Sequence, residues 1–495
     1  MLSEIVTSIF NDLTPLATMI ILAVGALTFP AVQMFGKRHT VTWAYALILV
    51  AFALFVNIAL MVDEYADVYL GVNFGPYQQY LGLLFLTVLA LTVLVSNSSI
   101  ETTKSHSGAF YSLLFGAAIG MIFVTTSIDL LTIFVGVELT SISSYALVAL
   151  KRKDGRASEA AVKYAIIGGL STALTLYGIS MIYGMAGSTY IPDIAEYVGF
   201  ADFSWIFTIG VIAMIAGYGF KIAAVPFHMW APDVYEGAAT PVSMFLATGS
   251  KKMGLAVFMQ VFLIMFVIAQ LTGSIYGETF QYLFAIIAAV TMTVGNVVAI
   301  AQGNIKRMLA YSSIAQAGYI LIMMAVMTPN AEAAGLFHMF THVFMKGGAF
   351  LIVGALICAG VGEKISDYKG LAKRAPVIAF AMMLFLFSLA GIPPLAGFTS
   401  KFFLFASAVG VPGEASGMWI WLAFIAILNS AISLYYYARV VKAMYIEKGT
   451  TTEKIKIPKA FALAILICVV FVIVLGVYPD LIYGYAETAV GIGLT

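Results

Sequence analysis

Residues 217–254 read GYGFKIAAVPFHMWAPDVYEGAATPVSMFLATGSKKMG, and this stretch decides how the chain folds. It places Lys221, His228, Lys251 and Lys252 in apolar surroundings, and three prolines interrupt its helical pattern. An ionisable side chain at membrane depth is costly, so by default it marks a functional site. Non-helical backbone at that depth persists only where protein buries it or where it lines a wet cavity. The stretch therefore predicts a broken membrane helix that carries an ion or proton path.

The composition of the whole chain is typical of a membrane protein. Of its 495 residues, 62% are hydrophobic and only 10% are charged, whereas soluble domains carry about 25% charged residues. The net charge of +1 argues against a nucleic-acid partner. Cys358 and Cys468 are too few for the thiolate ligands of an iron–sulfur cluster. We expect a polytopic protein in contact with lipid, with no nucleic acid, no bound metal and no cofactor in this chain.

Apolar stretches of bilayer length recur about fourteen times along the sequence. A spanning helix needs about 20 such residues. The candidates are 15–36, 43–62, 78–96, 109–127, 129–150, 160–185, 205–235, 240–270, 278–301, 306–327, 332–360, 375–409, 417–445 and 459–483. The stretches 205–235 and 375–409 are long and contain internal prolines, so both are expected to be broken helices. The predicted fold is all-α, a polytopic membrane protein with about 14 transmembrane helices.

The two broken spans also predict an internal repeat. They fall at corresponding places in two halves that run in opposite directions, as in transporters built from inverted repeats. We therefore expect two inverted five-helix repeats. The predicted units are N-terminal helices 1–3 (1–108), a first repeat of helices 4–8 (109–270), a second repeat of helices 9–13 (271–445) and a C-terminal helix 14 (446–495).

Among the loops, only those that follow odd-numbered spans contain lysine or arginine, and this bias predicts the orientation of the chain. These loops contain Lys37, Arg38, Lys104, Lys151, Arg152, Lys153, Arg156, Lys306, Arg307 and Lys364, among others. The loops after even-numbered spans carry acids such as Asp63, Glu64 and Glu414 but no lysine or arginine. The basic loops are expected in the cytoplasm of a cell-membrane protein, with both termini outside.

Charged residues inside the spans predict the path itself. Glu138 and Lys221 lie deep in their helices, where a carboxylate that changes position would alter the proton affinity of the lysine. The alternative is a static ion pair that joins two helices. Lys251 and Lys252 point about 100° apart on a helix, so one should face the path while the other reaches the interface or pairs elsewhere. His228 either passes protons between Lys221 and Lys251 or stabilises the unwound turn.

A second group of ionisable residues lies in the eleventh and twelfth spans. His338, His342 and Lys346 are spaced at i, i+4 and i+8, close to one helical face. We interpret them as a proton wire, because no cysteine or carboxylate lies within a turn to complete a metal site. They could instead bond neighbouring helices. Lys401 would end the path or reach the outer surface. Lys163, about a turn inside its span, is either an uptake group or a side chain that reaches the interface.

Three long motifs resemble the antiporter-like membrane subunits of respiratory complex I and its relatives. PFHMWAPDVYEGAATPVSMFLATGSKKMG, AGIPPLAGFTSKFFLF and SLYYYARVVKAMY look most like the N-type subunit, the counterpart of mitochondrial subunit 2. The resemblance covers nearly the whole chain and implies proton translocation without redox cofactors. It implies family roles for Glu138, Lys163, Lys221, His228, Lys251 and Lys401, and it prefers Lys251 over Lys252. LFHMFTHVFMKGGAFL departs from the N-type pattern and looks more like the L-type and cation-antiporter relatives.

We therefore expect a proton-translocating, non-redox subunit of a complex I-like assembly that oxidises NADH with quinone or oxidises a reduced deazaflavin. Its partners would be other membrane subunits of that assembly. The alternative is a subunit of a multi-subunit sodium/proton antiporter, and a third possibility is a structural subunit whose charges only join helices. The spans and broken helices fit the first two equally, whereas the YYYARVVKAMY ending favours the first.

Overall fold

The computed structural model describes residues 14, 16–36, 39–63, 66–69, 72–99, 101, 106–151, 154–410, 417–449 and 453–490. Some residues used to predict the orientation lie outside this part of the chain. They are Lys37, Arg38, Glu64, Lys104, Arg152, Lys153 and Glu414.

The described residues form helices because a bilayer offers no water to the backbone, so each segment must bond its own N–H and C=O groups. In chain order the helices are α1 (Ala17–Gly36), α2 (His39–Val62), α3 (Pro76–Ser96), α4 (Ser107–Thr126), α5 (Leu130–Ala149), α6 (Gly155–Ala186), α7 (Ile191–Phe200), α8 (Trp205–Ile222), α9 (Trp230–Gly237), α10 (Thr240–Leu271), α11 (Ile275–Ile300), α12 (Ile305–Val326), α13 (Pro329–Cys358), α14 (Leu371–Arg374), α15 (Pro376–Ala390), α16 (Ala396–Val409), α17 (Ile420–Tyr445), α18 (Lys459–Val477) and α19 (Asp480–Thr488). Two short antiparallel strands, β1 (Asp67–Tyr69) and β2 (Val72–Phe74), pair between α2 and α3.

The predicted all-α membrane fold is confirmed. Among the described residues, thirteen helices are long and apolar enough to cross a membrane, and α15 and α16 are two shorter apolar helices. The sequence did not predict α7, α19 or the small sheet, which lie between or after the spans. The division into two inverted repeats stays a prediction, although both breaks fall in the fourth span of their predicted repeat.

Both predicted helix breaks are present. The seventh span stops at Ile222 and resumes at Trp230, and the twelfth stops at Ala390 and resumes at Ala396. The backbone turns left-handed directly after each first half, at Ala223 (φ 54°) and at Gly391 (φ 91°). A helix that ends inside the bundle leaves its last carbonyl groups without partners in the helix, so other donors must satisfy them.

The helices that carry most of the predicted path form the centre of the bundle. Within their most apolar stretches, 83% of α10 and 94% of α12 and α13 is buried, against 22% of α1 and α2. Helix α10 also contains two π-helical segments, Leu246–Ser250 and Phe258–Leu263, on either side of Lys251 and Lys252. Such π segments occur frequently at functional sites. The sequence pattern gave no sign of them.

The orientation can be tested at the ends of α6. This helix has 32 residues and is therefore about 48 Å long, which exceeds the roughly 30 Å hydrocarbon core of a bilayer. We expect reporter fusions that end at Gly155 and at Gly187 to give signals from opposite sides, with the first in the cytoplasm. A fusion at Gly303, which follows α11, should match Gly155. Equal signals from Gly155 and Gly187 would reject the orientation.

Candidate functional site

Glu138 and Lys221 lie close together but do not form a direct ion pair. The Nζ of Lys221 donates to the Oγ of Ser141 at 2.8 Å, and the Oε1 of Glu138 accepts from the Oγ1 of Thr172 at 2.7 Å. Both charged residues line one small cavity of about 10 Å³, which is room for about one water molecule. The static ion pair considered from the sequence is therefore wrong. Separate polar anchors leave the ammonium and the carboxylate free to exchange partners through water.

Aromatic side chains enclose the Lys221 end of this site. The ring of Tyr164 lies 6.0 Å from the Nζ of Lys221 and stacks on Trp230, with ring centres 4.5 Å apart. The indole N–H of Trp230 donates to the backbone oxygen of Phe220 at 2.8 Å, which satisfies one carbonyl exposed by the break. Aromatic side chains therefore surround Lys221 beside the broken helix, and this lysine is only 3% exposed.

His228 and the adjacent lysines form the next part of the site. His228 lies in the break between α8 and α9, buried, and its Nδ1 has no hydrogen-bond partner. Lys251 and Lys252 are 1% and 0% exposed, and neither Nζ has a hydrogen-bond partner in the described part of the chain. The expectation that one lysine would reach the interface or pair elsewhere is therefore wrong. A buried ammonium without an acceptor is costly, which suits a group that holds its proton only briefly.

The face of α13 carries the predicted histidines and lysine, all fully buried. The Nδ1 of His338 is 2.8 Å from the Oγ of Ser400, and its Nε2 is 3.0 Å from the Oε1 of Gln316. His342 has no partner on either ring nitrogen among the described residues. Its ring centre is 6.3 Å from that of His338. The three residues share a face as predicted, but no direct hydrogen bond joins them, so their role as a wire stays a prediction.

Lys401 lies in the interior, so the expectation that it might reach the outer surface is wrong. Its Nζ donates to the backbone oxygen of Leu389 at 2.8 Å and to the Oγ of Ser430 at 3.0 Å. It also lies 4.6 Å from the centre of the Tyr319 ring. The carbonyl groups at the end of α15 carry the negative end of the helix dipole and attract a cation. The second break therefore fixes the position of this lysine.

Lys163 lies apart from the interior residues. Its side chain is 43% exposed, and its Nζ is 2.7 Å from Glu159 and 2.9 Å from Asp233. Asp233, on α9, also pairs with Arg307 at 2.6 Å. Lys163 therefore belongs to an ion-pair network at the surface, beside the second half of the broken seventh span.

The sequence reasoning missed a vestibule at this end of the bundle. This cavity of about 1110 Å³ is lined by charged residues of both signs, including Glu101, Lys151, Arg156, Glu236, Glu363 and Arg439. Burial alone would raise the pKa of Glu101, but Lys306, a hydrogen bond from Thr240 and Lys151 together hold that pKa below its usual value. Glu101 connects the vestibule to the start of α10, because it accepts from the backbone N–H of Thr240.

Lys306, the first residue of the predicted span 306–327, was counted from the sequence as a loop residue, but it lies inside α12. It is fully buried, its Nζ donates to the backbone oxygen of Ala238 at 2.8 Å, and it lies 3.6 Å from Glu363. Glu101 accepts from the backbone N–H of Thr240 at 2.9 Å. These contacts fix the junction between α9 and α10, about three turns before the lysine pair. The one available signal was Asn304, a typical helix-capping residue, which places Lys306 inside α12.

Together the buried cations form a row through the bundle. Gly254 lets α10 pack closely against Lys221, where the row begins, because a Cβ at this position would lie only 3.2 Å from the side chain of Lys221. From there, charges within electrostatic range of one another continue along the interior. They are Lys251, His342, Lys346 and Lys401, and Lys252 lies next to Lys251. Of the predicted path residues, Glu138 lies at the start of this row, His228 lies beside Lys251, and Lys163 lies outside it.

Known proteins show the same sequence pattern. Residues 127–433 match the family described as "NADH:quinone oxidoreductase/Mrp antiporter, TM". The F(420)H(2) dehydrogenase subunit N of Methanosarcina mazei is 45% identical over 80% of this chain and 80% of its own length. The NADH-quinone oxidoreductase subunit N of Desulfitobacterium hafniense is 38% identical over 97% of this chain and 98% of its own length.

Solved structures show the same fold. A chain of respiratory complex I from Thermus thermophilus superimposes with a TM-score of 0.78 and 28% identity, covering 96% of this chain and all of that one. A chain of an archaeal membrane-bound sulfane sulfur reductase has a TM-score of 0.86 at 24% identity over 97% of both chains, a likeness of fold alone. This chain therefore belongs to the NADH:quinone oxidoreductase/Mrp antiporter family of membrane proteins, and within that family to its N-type subunits.

Proposed function

We propose that this chain translocates protons as a non-redox subunit of a complex I-like oxidoreductase in the cell membrane. The observation that carries the proposal is the row of buried cations from Lys221 to Lys401, which runs from one broken helix to the other. Charged groups at membrane depth that pair with one another or with backbone carbonyls mark ion and proton pathways. A purely structural role accounts poorly for Lys251 and Lys252, because neither ammonium bonds to a neighbouring helix.

Repulsion between the cations supplies the coupling in this proposal. Two like charges 4 Å apart interact by about 4 kcal/mol at an effective dielectric constant of 20. A proton loaded at one end of the row therefore favours release at the other. Glu138 can start or stop the sequence, because its carboxylate shares a small cavity with Lys221 without holding it. Its side chain is only partly buried in this chain, so a neighbouring membrane subunit could contact it.

We assign electron transfer to other subunits of the assembly. The step proposed here needs only groups that bind and release protons. The amines, imidazoles, hydroxyls and carboxylate of this chain are such groups. The printed names of the relatives mention NADH, quinone and F(420)H(2). By analogy, the donor would be NADH or a reduced deazaflavin, bound outside this chain. With both termini outside the cell, the vestibule would open to the cytoplasm and supply protons.

Reconstitution of the intact complex in sealed vesicles tests this function. We expect electron transfer to drive proton movement that a protonophore abolishes and that continues when choline replaces sodium. If the vesicles move sodium, and if proton movement requires sodium but no electron donor, the result would support the sodium/proton antiporter instead. A complex that transfers electrons at the normal rate but moves no ions would reject both functions.

A further inference from the structure

The tyrosine triplet at residues 435–437 is a sequence motif to which the proposed function assigns no role. Tyr436 and Tyr437 are fully buried with ring centres 4.4 Å apart, whereas Tyr435 is 63% exposed. All three lie on α17, which packs against α11 and α15. Two phenol groups in the membrane interior need hydrogen-bond partners, and those partners lead directly to Lys346.

Among the described residues, no carboxylate pairs with Lys346. Its Nζ donates to the backbone oxygen of Leu309 at 3.2 Å and to the Oγ of Ser312. Ser312 also shares a hydrogen bond with the hydroxyl of Tyr437. Since an ammonium can only donate, Ser312 must accept from Lys346, and its own hydrogen remains free for Tyr437. Ser312 therefore accepts from Lys346 and can in turn donate to Tyr437, so a chain of two hydrogen bonds joins the lysine to the phenol.

The neighbouring Tyr436 has a separate set of hydrogen-bond partners. The hydroxyl of Tyr436 donates to the Oδ1 of Asn296 at 2.9 Å. The amide nitrogen of Asn296 donates to the hydroxyl of Tyr319 at 2.9 Å and to the backbone oxygen of Asn429 at 3.1 Å. These partners determine which side of the Asn296 amide carries the oxygen and which carries the nitrogen. This second set of bonds thus extends to the hydroxyl of Tyr319, whose ring centre lies 4.6 Å from the Nζ of Lys401.

We propose that Tyr437, acting through Ser312, is a positioning residue that orients Lys346 and stabilises its ammonium form in place of a carboxylate. A hydroxyl that donates onward is a better acceptor, because hydrogen bonds in a chain polarise one another. A neutral partner stabilises the charge without trapping the proton as an ion pair would. This inference rests on the proposed function, since it assigns Lys346 to the path.

The surroundings of Lys346 make this support necessary. The titratable groups that face it are Lys251 and Lys252 from α10, Lys401 from α16, and His342 from its own helix. Every one of them is basic, so each protonated neighbour disfavours a charge on Lys346. Neutral oxygen acceptors hold the ammonium at this position instead: the backbone oxygen of Leu309 and the hydroxyl of Ser312.

Tyr437→Phe tests the inference, because it removes one hydroxyl and keeps the ring. In the reconstituted complex, proton pumping per electron should fall at a lower pH than in the parent, with a shift of roughly one pH unit for one lost hydrogen bond. Loss of the hydroxyl disfavours the ammonium, so Lys346 releases its proton earlier as the pH rises. Tyr435→Phe, on the same helix but exposed, should keep the parental profile.

A double variant separates positioning from packing. In Lys346→Arg the side chain stays charged at all pH values used, so the pH profile of the pumping that remains should be the same with and without Tyr437→Phe. A shift of equal size in both backgrounds would overturn the inference. If Lys346→Ala impairs pumping but Tyr437→Phe keeps the parental profile, the inference fails and the proposed path stands. If Lys346→Ala pumps like the parent, the assignment of Lys346 to the path fails, and the inference fails with it.

Discussion

Replacement of Lys251 by arginine is expected to lower proton pumping per electron by more than about tenfold. A tenfold loss is less than the rate enhancement that a positioned acid–base group typically contributes. Arginine keeps the positive charge but stays protonated in proteins, so it cannot pass a proton on. The native amine is 1% exposed and has no hydrogen-bond acceptor. The ring centre of Tyr235 lies 5.8 Å from its Nζ. The measurement is proton movement per electron in sealed vesicles that contain the assembled complex.

Lys252 provides the matched comparison for this variant. It is adjacent in sequence, equally buried and equally without a partner, but the family resemblance places Lys251 in the path. We expect Lys252→Ala to change pumping little and Lys251→Ala to impair it. Normal pumping by Lys251→Arg would mean that this position supplies only positive charge. Equal losses at both positions would place both lysines in the path.

Lys221→Ala is expected to cause a loss of similar size, about tenfold or more in pumping per electron, with assembly of the complex largely intact. Lys221 bonds to Ser141 rather than to Glu138, so its removal breaks no ion pair between helices. The amount of assembled complex and its electron-transfer rate should therefore stay near those of the parent. What is lost is the cation that shares a cavity with the carboxylate of Glu138.

Lys442→Ala is a suitable control for Lys221→Ala. Lys442 is 62% exposed at the end of α17 and lies outside the row of buried cations, so its removal should leave pumping unchanged. The opposite pattern for Lys221→Ala would show a structural residue: poor assembly, with normal pumping by the small amount of complex that forms.

Local composition determined the architecture of this protein. A run of about 20 apolar residues predicts a span, and prolines within a longer run predict a break. Both properties belong to contiguous sequence, so the spans and the breaks at 223–229 and 391–395 could be predicted without knowing how the helices pack. The same holds for the presence of Lys221 and Lys251 inside the membrane, because the surrounding residues are apolar.

Side-chain position depended on packing, and there the sequence could not decide. Lys163 and Lys401 looked alike from the sequence, each a lysine near the end of a span. The structure places Lys163 in surface ion pairs and Lys401 against the carbonyl groups of a broken helix. Lys306 looked like a loop residue and is fully buried. Long lysine stems can reach either water or an interior acceptor, so the neighbouring helices determine where each amine lies.

The hydrogen-bond partners in the site depended most on tertiary structure. Periodicity predicted that His338, His342 and Lys346 share one face of α13, since that spacing is a property of a single helix. It gave no information about the helices that face them. Lys346 bonds through Ser312 to Tyr437, which lies 125 residues further along the chain from that serine, and Glu138 bonds to Thr172 on the next helix. Contacts between helices depend on how their surfaces interlock, and no local pattern in the sequence encodes that.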